Sequence, residues 1–260
     1  MRILLAAFYT PGVRAIEYLI ANGLRPGDVR LLTYKLERNQ ALLAFAAAHG
    51  IETRTFSVKS KEAYEWIKEF EPDFVFSLYS REIMPQAVLD LVRVAALNLH
   101  PSLLPKYKGM FSAPWVIING EDHTGFTYHY MVAEIDAGNI VLQETVPVAD
   151  DDTAYSLYHR LIVAGMSAFP EAFRLVTKDR HPGSPQEGEG TWYPRKVPHG
   201  GYIDPAWSRE QIGRFIRAMY FPPFKGACVR LEGGEEREVL SMAEYDALIA
   251  SGAVVVRGAT

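Results

Sequence analysis

The sequence predicts an α/β chain: a Rossmann-like, open and mostly parallel sheet followed by a small C-terminal α+β extension. Two observations carry this expectation. Short apolar, β-rich runs alternate with helix-like stretches through the first 100 residues, the pattern of parallel strands joined by right-handed crossover helices. A Pro-, Gly- and Ser-laden stretch, HPGSPQEGEG, then separates this part from a shorter tail, so the expected division is a main domain over 1–180 and a small subdomain over 193–260.

The elements follow in order. The opening MRILLAAFYTPG holds an apolar run at residues 2–7 that Pro11 and Gly12 break too early for a signal peptide, so it reads as a first buried strand. Further strands are expected at 29–33, 54–57, 74–77 and 95–99, with helices at 13–21, 37–48 and 61–70 between them. Beyond these come a strand at 125–131, a loop around Asp136, a strand at 140–146 and one long helix at 153–178. Asp151 and Asp152 precede that helix, where capping and the helix dipole explain them. In the tail a helix is expected at 209–219, with strands at 227–231 and 254–257.

Composition removes several classes of function. At 260 residues and 48% hydrophobic, the chain can bury a core without staples. Cys228 is the single cysteine, so no intramolecular disulfide forms within one chain and a reducing cytoplasm is the expected setting. No apolar run reaches the roughly 18 residues that a membrane span needs. Net charge is −4 and the cations are scattered, which gives no footprint for nucleic acid. No Cys/His zinc spacing occurs, so no metal is expected. The first strand runs into FYTPGVRA rather than G-x-G-x-x-G, which argues against NAD and FAD. P-loop, G-x-S-x-G and H-E-x-x-H motifs are absent as well.

The chemistry concentrates in residues 96–143. Asn98 and His100 stand two apart at the end of a strand, so their side chains share one face at the sheet end where open α/β sheets place ligands. A buried polar pair in an apolar strand is costly unless it is satisfied or used. On spacing alone, tying down the following proline loop is the more ordinary role for the pair. His129 and Tyr130 point to opposite faces of their strand, and either substrate contact or packing accounts for them.

The ordered set of Asn98, His100, Ser102-Leu103-Leu104-Pro105 and Asp136 within EIDAGNI resembles the formyltransferases that use 10-formyltetrahydrofolate. SLYSREIMPQAVLDL extends the resemblance upstream. It implies Asn98, His100 and Asp136 as catalytic residues and no metal. Formyl transfer to an amine needs a donor for a developing oxyanion, a base and a group that supports the base; Asn98, His100 and Asp136 have the right chemistry for these roles. An amine needs no covalent enzyme nucleophile. For the reduced folate, backbone around Ile83, Met84 and Pro85 and the loop of Glu134, Ile135 and Asp136 are expected to hold the pterin.

GMFSAPWVIINGEDHTGFTYHYM and the tail YPRKVPHGGYIDPAWSREQIGRFIRAMYFPPFKGA are similar to the nucleotide-sugar N-formyltransferases, closest to the GDP-perosamine branch of O-antigen and lipopolysaccharide synthesis. This implies a nucleotide-linked 4-amino-4,6-dideoxyhexose as acceptor and a homodimer. Eight aromatic residues fall between Trp192 and Phe224, which suits base stacking but equally a satellite core or a dimer interface. Tyr193, Arg195 and Phe221 are the candidate acceptor residues, although Arg195 and Lys196 also read as a solvated pair. Transfer to another amine such as methionyl-tRNA, and a binder of the same fold without turnover, stand as the alternatives.

Overall fold

The strand order of the main sheet, β3-β2-β1-β4-β5-β7-β8, fixes which loops gather at its catalytic end. The computed structural model describes residues 1–256; Arg257, last in the strand expected at 254–257, lies outside them. In chain order the first part comprises β1 (Ile3–Ala7), α1 (Tyr9–Ala21), β2 (Val29–Leu32), α2 (Gln40–Ala48), β3 (Glu52–Arg54), α3 (Lys61–Phe70), β4 (Phe74–Leu78), α4 (Gln86–Leu89) and β5 (Ala95–His100). There follow β6 (Lys108–Gly109), α5 (Ser112–Asn119), β7 (His123–Tyr130), β8 (Ile140–Pro147), α6 (Ala154–Ser167), α7 (Phe169–Thr177) and β9 (Trp192–Tyr193). The last part holds α8 (Arg209–Met219), β10 (Ala227–Leu231), β11 (Glu236–Val239), α9 (Met242–Ala250) and β12 (Val255–Val256).

Two compact units emerge. One is built from residues 1–100, 126–144 and 162–188, the other from 101–125, 145–161 and 189 onward. Both are woven from several segments, whereas the sequence suggested a single cut at the linker.

In the first unit β1 pairs in parallel with β2 and β4, β4 with β5, and β2 with β3. Every residue of β1 is buried, so its uninterrupted apolar sequence fits a strand covered on both faces. One face, with Leu4, Ala6, Val75 and Ala96, packs against Trp66, Ile67 and Val88. On the other, Phe76 meets Phe169 edge-to-face at 5.6 Å and stacks with Phe173 at 5.5 Å. β7 breaks the parallel pattern and runs antiparallel to β5. The second unit centres on β11-β10-β12 under α8, with Ile212, Phe215, Val229, Val239 and Leu248 in its core.

Local chemistry explains where these elements start and stop. α3 begins at Ser60, whose hydroxyl accepts from the Ala63 N–H, and α8 at Ser208, where Gln211 completes a capping box. The helix expected at 153–178 is instead two, because Pro170 near the start of α7 lacks the N–H a continuous helix would need. β3 falls at 52–54 rather than 54–57, placed by the pairing of Arg30 with Glu52. The short elements α4, α5, α9, β6, β9 and β11 were not foreseen. Asp152 is structural: it accepts from the Ala149 N–H at 2.8 Å and the Ser156 hydroxyl at 2.7 Å and is bonded by Arg160.

Candidate active site

β5 ends in the alternation Leu97-Asn98-Leu99-His100. Leu97 and Leu99 enter the core, while Asn98 and His100 share the opposite face. In the antiparallel ladder with β7, Asn98 lies opposite His129 and His100 opposite Thr127, and directly opposed residues share a face. Asn98 Nδ2 is 3.1 Å from His129 Nε2. Loop residues 132–139 bring Asp136 to the same place. Its two carboxylate oxygens lie 3.5 Å from His100 Nδ1 and 3.4 Å from His129 Nε2. All three side chains are nearly buried, with 6% of His100, 10% of Asp136 and 2% of His129 exposed.

The hydrogen bonds of His129 settle its tautomer. Its Nδ1 is 2.9 Å from the Tyr130 carbonyl, which only accepts, so Nδ1 carries the proton. In the neutral ring Nε2 then accepts from the Asn98 amide. The Asn98 nitrogen has two N–H groups; one serves His129, and the second is oriented by that bond and available to a developing oxyanion. His100 directs Nδ1 toward the carboxylate, the arrangement in which a carboxylate supports an imidazole that gains a proton. At 3.4–3.5 Å these approaches are longer than tight hydrogen bonds.

Backbone geometry holds the loop. Asp136 has φ 53°, in the left-handed region that non-glycine residues seldom adopt. A Cβ at Gly138 would collide with the Tyr130 carbonyl, so only glycine allows this close approach. Tyr130 in turn receives a backbone contact from the same loop, donating its N–H to the Asn139 carbonyl at 2.9 Å.

The residues expected to meet the folate divide by environment. Ile83 is 55% exposed, Met84 is buried in the core, and Pro85 caps α4. Met84 can therefore offer only its backbone. Glu134 is exposed and Ile135 half-buried, while Asp136 keeps its side chain nearly buried. Glu82 pins this loop, its carboxylate accepting from the Ser57 hydroxyl at 2.7 Å and the Val58 N–H at 2.9 Å.

The acceptor candidates differ in their surroundings. Tyr193 is near-parallel to Tyr107, 5.7 Å away, and to Trp115, 4.4 Å away, so its ring is engaged in packing with neighbouring rings. Its hydroxyl accepts from Asn119 at 3.1 Å. Phe221 is half-buried among Tyr155 and Tyr158, with edge contacts at 5.6 and 5.4 Å. Arg195 is exposed. Rings open to solvent are Phe224, 63% exposed, and the neighbouring Trp192, 57% exposed, which strand alternation turns away from Tyr193. His129 and Trp192 were thus not singled out by sequence. The first was legible only as one of two alternatives, and the second only from its place beside Tyr193.

An open α/β sheet gathers Asn98, His100, His129 and Asp136 at one end, a set with the hydrogen-bonding and proton-carrying chemistry that a group-transfer enzyme uses. The family model described as formyl transferase matches residues 28–173. GDP-perosamine N-formyltransferase of Brucella melitensis is 41% identical over 233 residues, covering 89% of this chain and 90% of that protein. Among solved structures, the N-formyltransferase of Helicobacter canadensis, in complex with folinic acid and dTDP-3-aminofucose, aligns with a TM-score of 0.71 at 25% identity, over 85% of this chain and 81% of that one. A 4-N formyltransferase of Francisella tularensis shares the fold, with a TM-score of 0.73 at 22% identity and coverage of 92% and 96%. The chain belongs to the formyl transferase family and is a formyltransferase.

Proposed function

We propose that the protein transfers the formyl group of 10-formyltetrahydrofolate to the C4 amine of a nucleotide-linked 4-amino-4,6-dideoxyhexose, with GDP-perosamine as the preferred acceptor, in O-antigen synthesis. The observation that carries this reading is the cluster of Asn98, His100, His129 and Asp136 on one sheet face, taken with 41% identity to a GDP-perosamine N-formyltransferase along nearly the whole of both chains. The bound folate supplies an activated formyl carbon. For it, the exposed apolar side chains of Ile83 and Val132 and the backbone of 83–85 and 134–136 offer an apolar surface beside main-chain donors and acceptors, which fits a pterin ring with its paired polar edge.

The chain's own residues then divide the work. Asn98 donates its second N–H to the formyl oxygen as negative charge gathers there. His100 takes a proton from the attacking amine, and Asp136 stabilises the imidazolium so formed. The bond from the formyl carbon to N10 breaks, the proton held by His100 passes to that nitrogen, and tetrahydrofolate and the sugar formamide leave. Within residues 193–260 we assign the nucleotide to exposed Arg195, the Tyr193 hydroxyl edge and Phe221, the first for the diphosphate because a guanidinium forks onto phosphate oxygens. A cytoplasmic homodimer completes the reading. Among the described residues no helix is long and apolar enough to cross a membrane.

The test is a panel of GDP-, dTDP- and UDP-linked 4-amino sugars with 10-formyltetrahydrofolate, read by product mass. Formylated GDP-perosamine as the fastest product is the expected result. No turnover with any nucleotide sugar, beside turnover with methionyl-tRNA, would overturn the assignment.

A further inference from the structure

The stretch HPGSPQEGEG, which composition marks as a linker, is stitched to the loop that carries Asp136. Ile140 and Ser184 exchange both backbone hydrogen bonds at 2.8 Å, and Asn139 Nδ2 donates to the Pro182 carbonyl at 3.3 Å. Between these contacts and the aspartate sits Gln186. Its Nε2 donates to the Asp136 carbonyl at 2.7 Å and to the Gly138 carbonyl at 2.9 Å. Both partners are carbonyl oxygens, which only accept, so the amide nitrogen rather than its oxygen must face them.

This bridge acts where the backbone is least content. An L residue at φ 53° persists only when its surroundings hold it there, and the bond to the Asp136 carbonyl fixes the rotation of that residue's own peptide. The bond to Gly138 fixes the next turn of the loop, whose room is set by the approach of Gly138 to the Tyr130 carbonyl. Relaxing the turn swings the carboxylate away from His100 Nδ1, which stands at 3.5 Å, near the outer limit of useful contact. A misplacement of about 1 Å in such a site costs up to about 10²-fold in rate.

We propose that Gln186 is a positioning residue for the catalytic aspartate, clamping the strained Asp136 turn so that its carboxylate stays aimed at His100 Nδ1. The inference rests on the role given to Asp136 under the proposed function. It assigns the linker a part in the chemistry that its composition hides.

Three variants test it in the full-length enzyme. Gln186→Glu has nearly the same shape but offers two acceptors to two carbonyls, and Gln186→Lys keeps donors at a similar reach. For Gln186→Glu, kcat is expected to fall about tenfold or more, with KM for both substrates held within about twofold, because the loss is one of geometry in the transition state. Gln186→Lys is expected to recover most of that loss. In an Asp136→Asn background, Gln186→Glu is expected to cause no further fall, since the two residues act as a unit. A Gln186→Glu enzyme within about twofold of wild type in kcat, an equal fractional loss in the Asp136→Asn background, or Lys no better than Glu would each overturn the clamp. A wild-type-like Asp136→Asn enzyme would overturn the role of Asp136 itself and the clamp with it. A crippled Asp136→Asn beside an unimpaired Gln186→Glu would overturn the clamp alone.

Discussion

The catalytic end of the main sheet and the aromatic stretch beginning at Trp192 use conspicuous residues in opposite ways. In the first, polar side chains that apolar packing would exclude are buried against one another: Asn98 on His129, and Asp136 between two imidazoles. In the second, the conspicuous rings are consumed by packing. Tyr193 is stacked with Tyr107 and Trp115, while His199, Trp207 and Phe215 meet one another edge-on within 5.8 Å. A buried polar cluster has few uses other than chemistry, because its desolvation is otherwise uncompensated. An aromatic cluster needs no ligand to account for it. That asymmetry is why the same density of unusual residues points to function in one region and to a satellite core in the other.

Substitutions sharpen the contrast, beginning with the largest effect. Asp136→Asn is expected to lower kcat by about 10²-fold or more, the low end for disabling general acid-base work, with the thermal midpoint little changed; steady-state kinetics and calorimetry check this together. His129→Leu comes next, with an expected loss of about tenfold, because the Asn98 amide loses the partner that orients it while the base remains. In the aromatic region Tyr193→Leu is expected to act on stability, costing about 3 kcal/mol through loss of a ring packed with neighbouring rings, as measured by chemical denaturation. Because the variant also removes the hydroxyl assigned to the nucleotide, the acceptor KM is expected to rise as well; a raised KM with stability untouched would show that the ring does not serve packing.

The smallest effect concerns Asp152, which separates structural carboxylates from catalytic ones. Burial pushes its pKa up, yet the Ala149 N–H, the Ser156 hydroxyl and Arg160 more than offset this and hold it below the usual carboxylate value. A carboxyl depressed in the folded state contributes stability above its unfolded pKa and loses it as pH falls through the folded value. Asp152→Asn is therefore expected to destabilise by about 1–2 kcal/mol at neutral pH, with the gap to wild type closing below the ordinary value near 3.8 and kcat unaffected. Denaturation curves across that range check the sign.

How much of this the sequence discloses follows from whether the deciding contact is local. α3 and α8 are legible to their ends because Ser60 and Ser208 cap them in place. The Rossmann-like sheet is legible because fully buried parallel strands must be apolar throughout. Asn98 and His100 stand out because a two-residue spacing on a strand fixes a shared face. His129 joins them only through the antiparallel register of β5 with β7, a pairing that no local pattern specifies. Gln186 is hidden by a composition that signals a loop, while its partners lie 48 and 50 residues away. α5 offers no start signal, since Phe111 at its N-cap makes no capping bond and the helix is short and apolar.

The central claim is that His100, supported by Asp136, is the base for formyl transfer to a nucleotide-sugar amine. The most direct measurement is the rate of formylated GDP-perosamine formation by His100→Asn at saturating donor and acceptor, beside wild type and with the fold verified by circular dichroism. The expected result is a rate lower by at least about 10²-fold with thermal unfolding preserved. A folded His100→Asn enzyme turning over within a few-fold of wild type would contradict it.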